Sequence, residues 1–326
     1  MPPSRLDPRP QRADRRPVIR ATRQPSTLGS VRRFATVLAV VAAVSGPRAV
    51  AQSATRTARY ERVGTFENRL IRESSGVAVS RQGGGYLWTH NDSSDEPVLY
   101  LTDLRGFDRG MVWLRGASAV DWEDLAAGPC PGMTDKSCLY VGDVGNNLKH
   151  REWIDIYVVE EPAVLASGRD TLDVLKHLRV RFPDRPRDTE AVAVGADGTL
   201  WLFPKGPGPS DVFRIPPAAF DHDTVTAIPA GDLGFLQVNV LGRVLTGAAI
   251  SADGRRMVAR TYTELYFFRM GSDGTWSRDG SPCWLGLADG QGEGVDFWAD
   301  DQVVLTAEGL GVGTGRIGLA RCDGEP

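Results

Sequence analysis

Short apolar runs, separated by turn-forming residues, recur from residue 73 to residue 321. Five of them open a repeat: ESSGVAV (73–79), DWEDLAA (121–127), DTEAVAV (188–194), LTGAAIS (245–251) and QGEGVDF (291–297). A second and a third apolar run follow each of these, and turn signals such as Ala196-Asp197-Gly198 stand between the first and second runs. The repeats begin 48, 67, 57 and 46 residues apart. The pattern predicts groups of short antiparallel strands along most of the chain.

Repeats of three or four short strands at this period are typical of the blades of a β-propeller. Residues 52–326 show no long periodicity of 3.6 residues, which argues against a helical solenoid. We therefore predict an all-β fold with a single β-propeller of five blades; six is the alternative if residues 223–240 form a degenerate blade. Residues 58–66 have no repeat of their own. We expect them to add a strand to the last blade and so close the ring.

The first 51 residues have the layout of an export signal. Arg32 and Arg33 precede an apolar run, residues 34–44, and Ala49-Val50-Ala51 then form a small-residue cleavage pattern. This order predicts a signal peptide cleaved after Ala51 and a mature domain of residues 52–326. The apolar run is too short for a permanent membrane span. We expect a secreted or periplasmic protein. The long basic leader also suggests a start of translation near Val31, and Arg32-Arg33 matches a twin-arginine signal in part.

Charge is divided unevenly along the 326 residues. The chain has 38 Lys and Arg against 41 Asp and Glu, but residues 1–51 hold ten Arg and two acids. Residues 52–326 therefore carry 28 basic and 39 acidic side chains, a net charge of −11. That sign argues against a nucleic-acid partner. The partners we expect are a small anionic ligand or an extracellular protein or glycan, bound by a monomer.

Four cysteines fit an oxidising compartment. Cys130 and Cys138 flank a short Pro/Gly loop and are predicted to form a local disulfide, which leaves Cys283 to pair with Cys322. There is no CxxC and no His close by, so zinc binding is disfavoured.

Acidic residues recur at fixed positions of the repeat. In a propeller the first strand of each blade lines the central channel, so equivalent positions form a ring. The third position of the five motifs holds Ser75, Glu123, Glu190, Gly247 and Glu293, and the first holds Glu73, Asp121, Asp188, Leu245 and Gln291. Several carboxylates in one channel need a cation or hydrogen-bond donors between them, and oxygen ligands suit Ca²⁺. We predict a Ca²⁺ site formed by Glu123, Glu190, Glu293, Asp121 and Asp188.

In each blade the second strand is expected to end at the mouth of this central channel. These strand ends supply His90, Asn91, Asp92, Asp143, Lys205, Arg260, Tyr262 and Glu308. We predict Lys205, Arg260 and Tyr262 as ligand-binding residues, because two are cations that could hold an anion. His90 and Asp143 are the candidate catalytic residues, for proton transfer. The alternative is that these charges pair with one another or hold one structural ion. No GxSxG is present, which disfavours a serine hydrolase.

Six short motifs give the chain a family resemblance. They are Ser75-Gly76-Val77-Ala78, His90-Asn91-Asp92-Ser93, Asp121-Trp122-Glu123-Asp124, Gly142-Asp143-Val144-Gly145-Asn146-Asn147, Asp188-Thr189-Glu190-Ala191 and Gln291-Gly292-Glu293. In this order they resemble the motifs of a group of bacterial secreted β-propeller proteins. More distantly the chain is similar to phytase-like propellers ("esterase-like activity of phytase") and to lactonase-like propellers. The resemblance implies a propeller and an ester or phosphoester hydrolase. Two positions depart from the group: Ala249, where an acid is expected, and Asn147.

Two functions follow from these observations. The first is a ligand-binding or scaffold propeller with an acidic, Ca²⁺-binding channel. The alternative is a metal-assisted (phospho)ester or lactone hydrolase that acts on an anionic substrate.

Overall fold

The computed structural model describes residues 56–92, 95–162, 168–239, 242–287, 290–309 and 313–322. The predicted signal peptide, residues 1–51, lies outside the described residues. The regular secondary structure of the described residues consists of β-strands, apart from one 3₁₀ turn at Pro217–Asp221. The fold is all-β, as predicted.

The strands pair into several blade-like antiparallel meanders, which are called blades 1 to 5 in chain order; the last two are joined into one nine-stranded sheet. Blade 1 contains β2 (Ser74–Val79), β3 (Tyr86–Asn91), β4 (Val98–Asp103) and β5 (Asp108–Arg115). Blade 2 contains β6 (Trp122–Cys130), β7 (Met133–Asp143), β8 (Ile154–Glu160) and β10 (Lys176–Arg181). Blade 3 contains β11 (Thr189–Val194), β12 (Leu200–Pro204), β13 (Gly208–Ile215) and β15 (Ile228–Gln237). Blade 4 contains β16 (Leu245–Ile250), β17 (Arg256–Thr261) and β18 (Glu264–Met270), with the short β19 (Trp276–Arg278) and β20 (Cys283–Trp284).

Blade 5 contains β21 (Gly292–Ala299), β22 (Gln302–Ala307), β23 (Arg316–Cys322) and β1 (Arg56–Thr65). The amino-terminal strand β1 pairs antiparallel with β23, the last strand of the chain. The predicted closure of the last blade by residues 58–66 is therefore confirmed. Closure removes the exposed edge that β23 would otherwise present.

Residues 223–240, considered for a sixth blade, extend two of the five. β14 (Thr224–Thr226) pairs parallel with β10 of blade 2, and β15 is the outer strand of blade 3. Another connection, β9 (Arg169–Asp173), pairs parallel with β5 of blade 1. The long connections thus bind neighbouring blades to one another.

Five hydrophobic clusters hold the ring together, and each lies between two neighbouring blades. Between blades 1 and 2, Trp88 packs with Trp122 and Leu125. The cluster that joins the last blade to the first contains Val304 and Ile317 together with Val77. The apolar positions of the repeated runs are therefore the interblade core, and burial of this area drives ring formation.

Both predicted disulfides are present, Cys130–Cys138 within blade 2 and Cys283–Cys322 between β20 and β23. Among the described residues, no helix has the length and apolar character needed to cross a membrane.

Candidate functional site

A β-bulge at the start of each inner strand builds the channel ring. The strand register shifts at the same place in all five blades: between Ser74 and Val77, Trp122 and Asp124, Thr189 and Ala191, Leu245 and Gly247, and Gly292 and Val295. A bulge adds an unpaired residue and redirects its side chain. The bulged residues include Ser75, Glu123, Glu190, Thr246 and Glu293. Three glutamates are thereby directed to one ring.

The fourth ring member is Thr246, one residue before the Gly247 that the motif alignment indicates. Thr246 is buried, and its hydroxyl oxygen lies 3.2 Å from the carbonyl oxygen of Gly292. Gly247 is instead required for close packing, because a Cβ added there would overlap the carbonyl oxygen of Glu293. Glycine lets inner strands β16 and β21 approach each other closely. The ring of blades 1 to 5 is therefore Ser, Glu, Glu, Thr, Glu.

Asp92, Asp121 and Glu123 form the group best placed to hold a cation. One carboxylate oxygen from each lies within 4.8 Å of the other two. Ca²⁺ binds oxygens at about 2.3–2.6 Å, so two ligands of one ion stand no more than about 5 Å apart. Gly145 lies against this group, because a Cβ there would overlap both Glu123 and Asp121. The donor set is all carboxylate oxygen, which fits a hard cation.

Burial and mutual repulsion disfavour the ionised state of the ring. The pKa of Glu123 is raised strongly, first by burial and then by Glu190 and Asp92. The pKa of Glu293 is raised by burial and by Asp92, although Ser75 opposes the shift with a hydrogen bond of 3.0 Å. Removing these protons at neutral pH requires a compensating positive charge. The electrostatic environment of these carboxyl groups therefore favours the binding of a cation.

Lys205 supplies one positive charge inside the ring. Its ammonium group lies 2.8 Å from Glu190 Oε2. Burial raises the pKa of Glu190 to about 8 even though Lys205 opposes the shift. Tyr262 donates a long hydrogen bond of 3.4 Å to Glu293 Oε1. Two of the three predicted ligand-binding residues are thus at the mouth, but each already contacts a ring glutamate.

Arg260 and His90 are buried side chains that contact a neighbouring blade. Arg260 is fully buried, and its Nη1 donates to the carbonyl oxygens of Gly294 (2.6 Å) and Thr306 (2.8 Å). His90 is fully buried, with its ring edge-on to Trp122 at 5.5 Å. Burial lowers the pKa of His90 to about 4, so the ring is neutral at physiological pH. In this geometry Arg260 braces blade 5 and His90 packs against blade 2.

Asp143 and Asp188 organise the loop that follows β7. The carboxylate of Asp143 accepts the amides of Val120 and Asp121, both at 3.1 Å, and pairs with Arg151 at 2.7 Å. The carboxylate of Asp188 accepts the amide of Asn146 at 2.8 Å. Of the five predicted metal ligands, Asp121 and Glu123 lie together, with Asp92 as their third member. Glu190, Glu293 and Asp188 have the separate partners described above.

Asp124 is the residue that sequence reasoning did not place, whereas Asp92 was expected at the mouth but not among the metal ligands. Asp92 directly follows β3, and the His90-Asn91-Asp92 motif was the available signal for it. Asp124 is fully buried below the ring, where its carboxylate accepts the amides of Leu125 (2.8 Å), Val192 (3.0 Å) and Ala248 (3.4 Å). These amides belong to three different blades. Ala126, Ala249 and the carboxyl side chain of Asp296 are among the residues that line a cavity of about 10 Å³.

No family model and no curated protein matches this chain. Among solved structures it is similar to a PQQ-bound aldose sugar dehydrogenase from Streptomyces coelicolor, with 13% identity and a TM-score of 0.48 over 82% of this chain and 99% of that one. It is also similar to a streptogramin B lyase, with 10% identity and a TM-score of 0.40 over 82% of this chain and 98% of that one. These likenesses concern the course of the backbone, and neither activity is assigned to this chain. Fold and site together define a β-propeller with an acidic channel mouth.

Glu308 makes the stability of the cation-free protein depend on pH. Its pKa is raised to about 8 by burial and by Glu293, from an ordinary value of 4.5. Because the folded-state value is the higher one, its stabilising contribution is complete below about pH 4.5 and is lost as pH rises through about 8. We expect the melting temperature to fall less between pH 5 and pH 8 in Glu308→Gln than in the parent protein. Melts with chelator, with exposed Glu160→Gln as the control, measure this; equal slopes would contradict it.

Proposed function

We propose that this protein is a ligand-binding β-propeller whose channel mouth holds a divalent cation, Ca²⁺ first among candidates, through Asp92, Asp121 and Glu123. The observation that carries the proposal is the convergence of these three carboxylates within 4.8 Å. Glu190 and Glu293 complete the acidic surroundings of the site. The bound cation supplies a Lewis-acidic centre to which an oxygen of a ligand can attach.

Charge at the mouth favours a cation over a bare anion. Glu123, Glu190 and Glu293 are each buried at the mouth. Asp92, Asp121 and Glu308 add three further carboxyl groups there. Against them stands Lys205, whose charge is already paired with Glu190. Those of the carboxyl groups that are ionised repel an isolated anion. The small anionic ligand predicted from sequence would therefore depend on the cation for its binding.

The binding function is supported over hydrolysis by the environments of His90 and Asp143. His90 is enclosed against Trp122, and Asp143 is occupied by two amides and Arg151. A general base must reach the proton that it abstracts, directly or through one water. Neither side chain has that access here. The two disulfides support the further proposal that the protein works in an oxidising compartment, secreted or periplasmic.

The test is a thermal melt of the purified protein with chelator and then with Ca²⁺ restored. An ion at a hundred times its dissociation constant adds about 2.7 kcal/mol, which corresponds to about 5 °C for a domain of this size. Glu123→Gln keeps the side-chain volume but removes one charged ligand, so we expect it to lose most of the shift. Glu160→Gln, an exposed residue of β8, should keep it. The absence of a Ca²⁺-dependent shift in the parent protein would overturn the proposal.

A further inference from the structure

A cavity of about 280 Å³ opens on blade 3 beside the channel mouth. It shares Asp188 and Lys205 with the mouth, so a molecule in the cavity lies next to the proposed cation site. Its wall contains four basic side chains, Lys149, Arg185, Arg187 and Lys205. Four prolines, Pro186, Pro204, Pro207 and Pro209, make the rest of the wall stiff. The volume is at the lower end of the range for small-molecule pockets.

Two of the four basic groups are already neutralised. Arg187 pairs with Asp211 at 2.6 Å and with Asp184 at 2.9 Å. Lys205 pairs with Glu190. The acidic members of the wall are occupied as well, since Asp211 holds Arg187 and Asp188 accepts the amide of Asn146.

The other two basic groups retain charge for a ligand. Lys149 is exposed, and within the described part of the chain it has no ion-pair partner. Arg185 has a surface contact of 3.7 Å with Asp184, which already serves Arg187. Exposed pairs of this kind contribute little to stability. Lys149 and Arg185 can therefore donate to an anion in the cavity without breaking a strong interaction.

The loop after β7 holds Lys149 at the cavity wall in a strained conformation. Lys149 has φ 54°, and it is the one residue other than glycine with positive φ in the described ranges. Its amide donates to Asn146 O at 2.7 Å. Asn146 is fixed in turn by Asp188 and by its Nδ2 donating to Arg151 O at 2.9 Å. A side-chain-bearing residue held in this region costs about 1–3 kcal/mol, and such strain clusters at binding sites.

We propose that this cavity binds the oxyanion group, a carboxylate, sulfate or phosphate, of a small organic ligand through Lys149 and Arg185. One part of this inference, the dependence of anion binding on the cation, rests on the proposed function. A cation bound at the neighbouring mouth adds positive charge next to the cavity, so we expect the anion to bind more tightly when the cation is present. The two ligands thus strengthen each other's binding, and by linkage the coupling is reciprocal.

The test is calorimetric titration of the purified protein with methyl phosphate, methyl sulfate and acetate, with Ca²⁺ and with chelator. We expect at least one probe to bind in the presence of Ca²⁺ and about tenfold more weakly without it. Comparison of the three probes identifies the kind of oxyanion. Lys149→Asn removes the charge but keeps a residue that tolerates positive φ. We expect this variant and Arg185→Ala each to bind the probe about tenfold more weakly, with Ca²⁺ affinity nearly unchanged. Lys136→Ala, at an exposed lysine of β7, is the matched control.

The outcomes separate the two proposals. Normal Ca²⁺ binding with no anion binding, or with variants that bind the probe as the parent does, would overturn the cavity assignment alone. Anion binding that depends on Lys149 but not on Ca²⁺ would support the cavity and overturn its coupling to the cation. If neither Ca²⁺ nor any probe binds, both proposals fail.

Discussion

Asp124→Ala is expected to lower the free energy of unfolding by about 3–6 kcal/mol, since each buried donor left unpaired costs about 1–3 kcal/mol. The Asp124 carboxylate accepts the amides of Leu125, Val192 and Ala248, which lie on the inner strands of blades 2, 3 and 4. In β11 and β16 the inner edge faces the channel and has no strand beyond it. One carboxylate therefore satisfies groups that no sheet hydrogen bond can reach.

Urea denaturation of the parent and the variant measures this effect. Asp300→Asn is the control, because Asp300 is exposed and its pair with Arg256 should contribute less than about 1 kcal/mol. Asp124→Asn keeps one acceptor oxygen, and we expect an intermediate loss, which preserves a measurable midpoint if the alanine variant does not fold. A loss in Asp124→Ala no greater than that of the control would show that the three amides find other partners, such as water.

The repeat pattern was sufficient to predict the propeller, its disulfides and the strand that closes it. These features depend on the spacing of apolar runs, turns and cysteines, which is visible along the chain. The bulges are less visible, because they shift the register by one residue. In blade 4 the ring member is Thr246, although the position counted from the start of the aligned motif is Gly247. A bulge is a property of strand pairing, so sequence similarity between motifs cannot locate it alone.

The same limit applies to the candidate site. Glu123, Glu190 and Glu293 were predictable as channel residues because they repeat. The separate roles of the charged residues were not, since they depend on which partner lies within hydrogen-bond distance. Arg260 and Lys205 end equivalent strands, yet Arg260 holds two carbonyl oxygens of blade 5 and Lys205 pairs with Glu190. Lys149 gave no signal in the sequence, because its position depends on a loop fixed by Asp188.

Cys283→Ala combined with Cys322→Ala is expected to cost about 4 kcal/mol, and Cys130→Ala with Cys138→Ala about 2.5 kcal/mol. The first bridge spans 39 residues and the second spans 8, so the first restricts the unfolded chain more. The first also joins β20 and β23, the two strands that flank the amino-terminal end of β1. The first bridge therefore stabilises the closure of the ring, whereas the Cys130–Cys138 bridge links the two strands of one hairpin within blade 2.

Urea midpoints of the two double variants, compared with the parent under oxidising conditions, test the order of these effects. We expect the Cys283/Cys322 variant to be the less stable of the two, and to lose less stability than the parent when its remaining bridge is reduced. The closing strand β1 should also become the first segment to exchange its amide hydrogens, because it is held in the ring by its pairing with β20 and β23. If the Cys130/Cys138 variant proves the less stable, closure of the ring does not depend on the terminal bridge. The stability would then lie in the interblade core that joins blade 5 to blade 1.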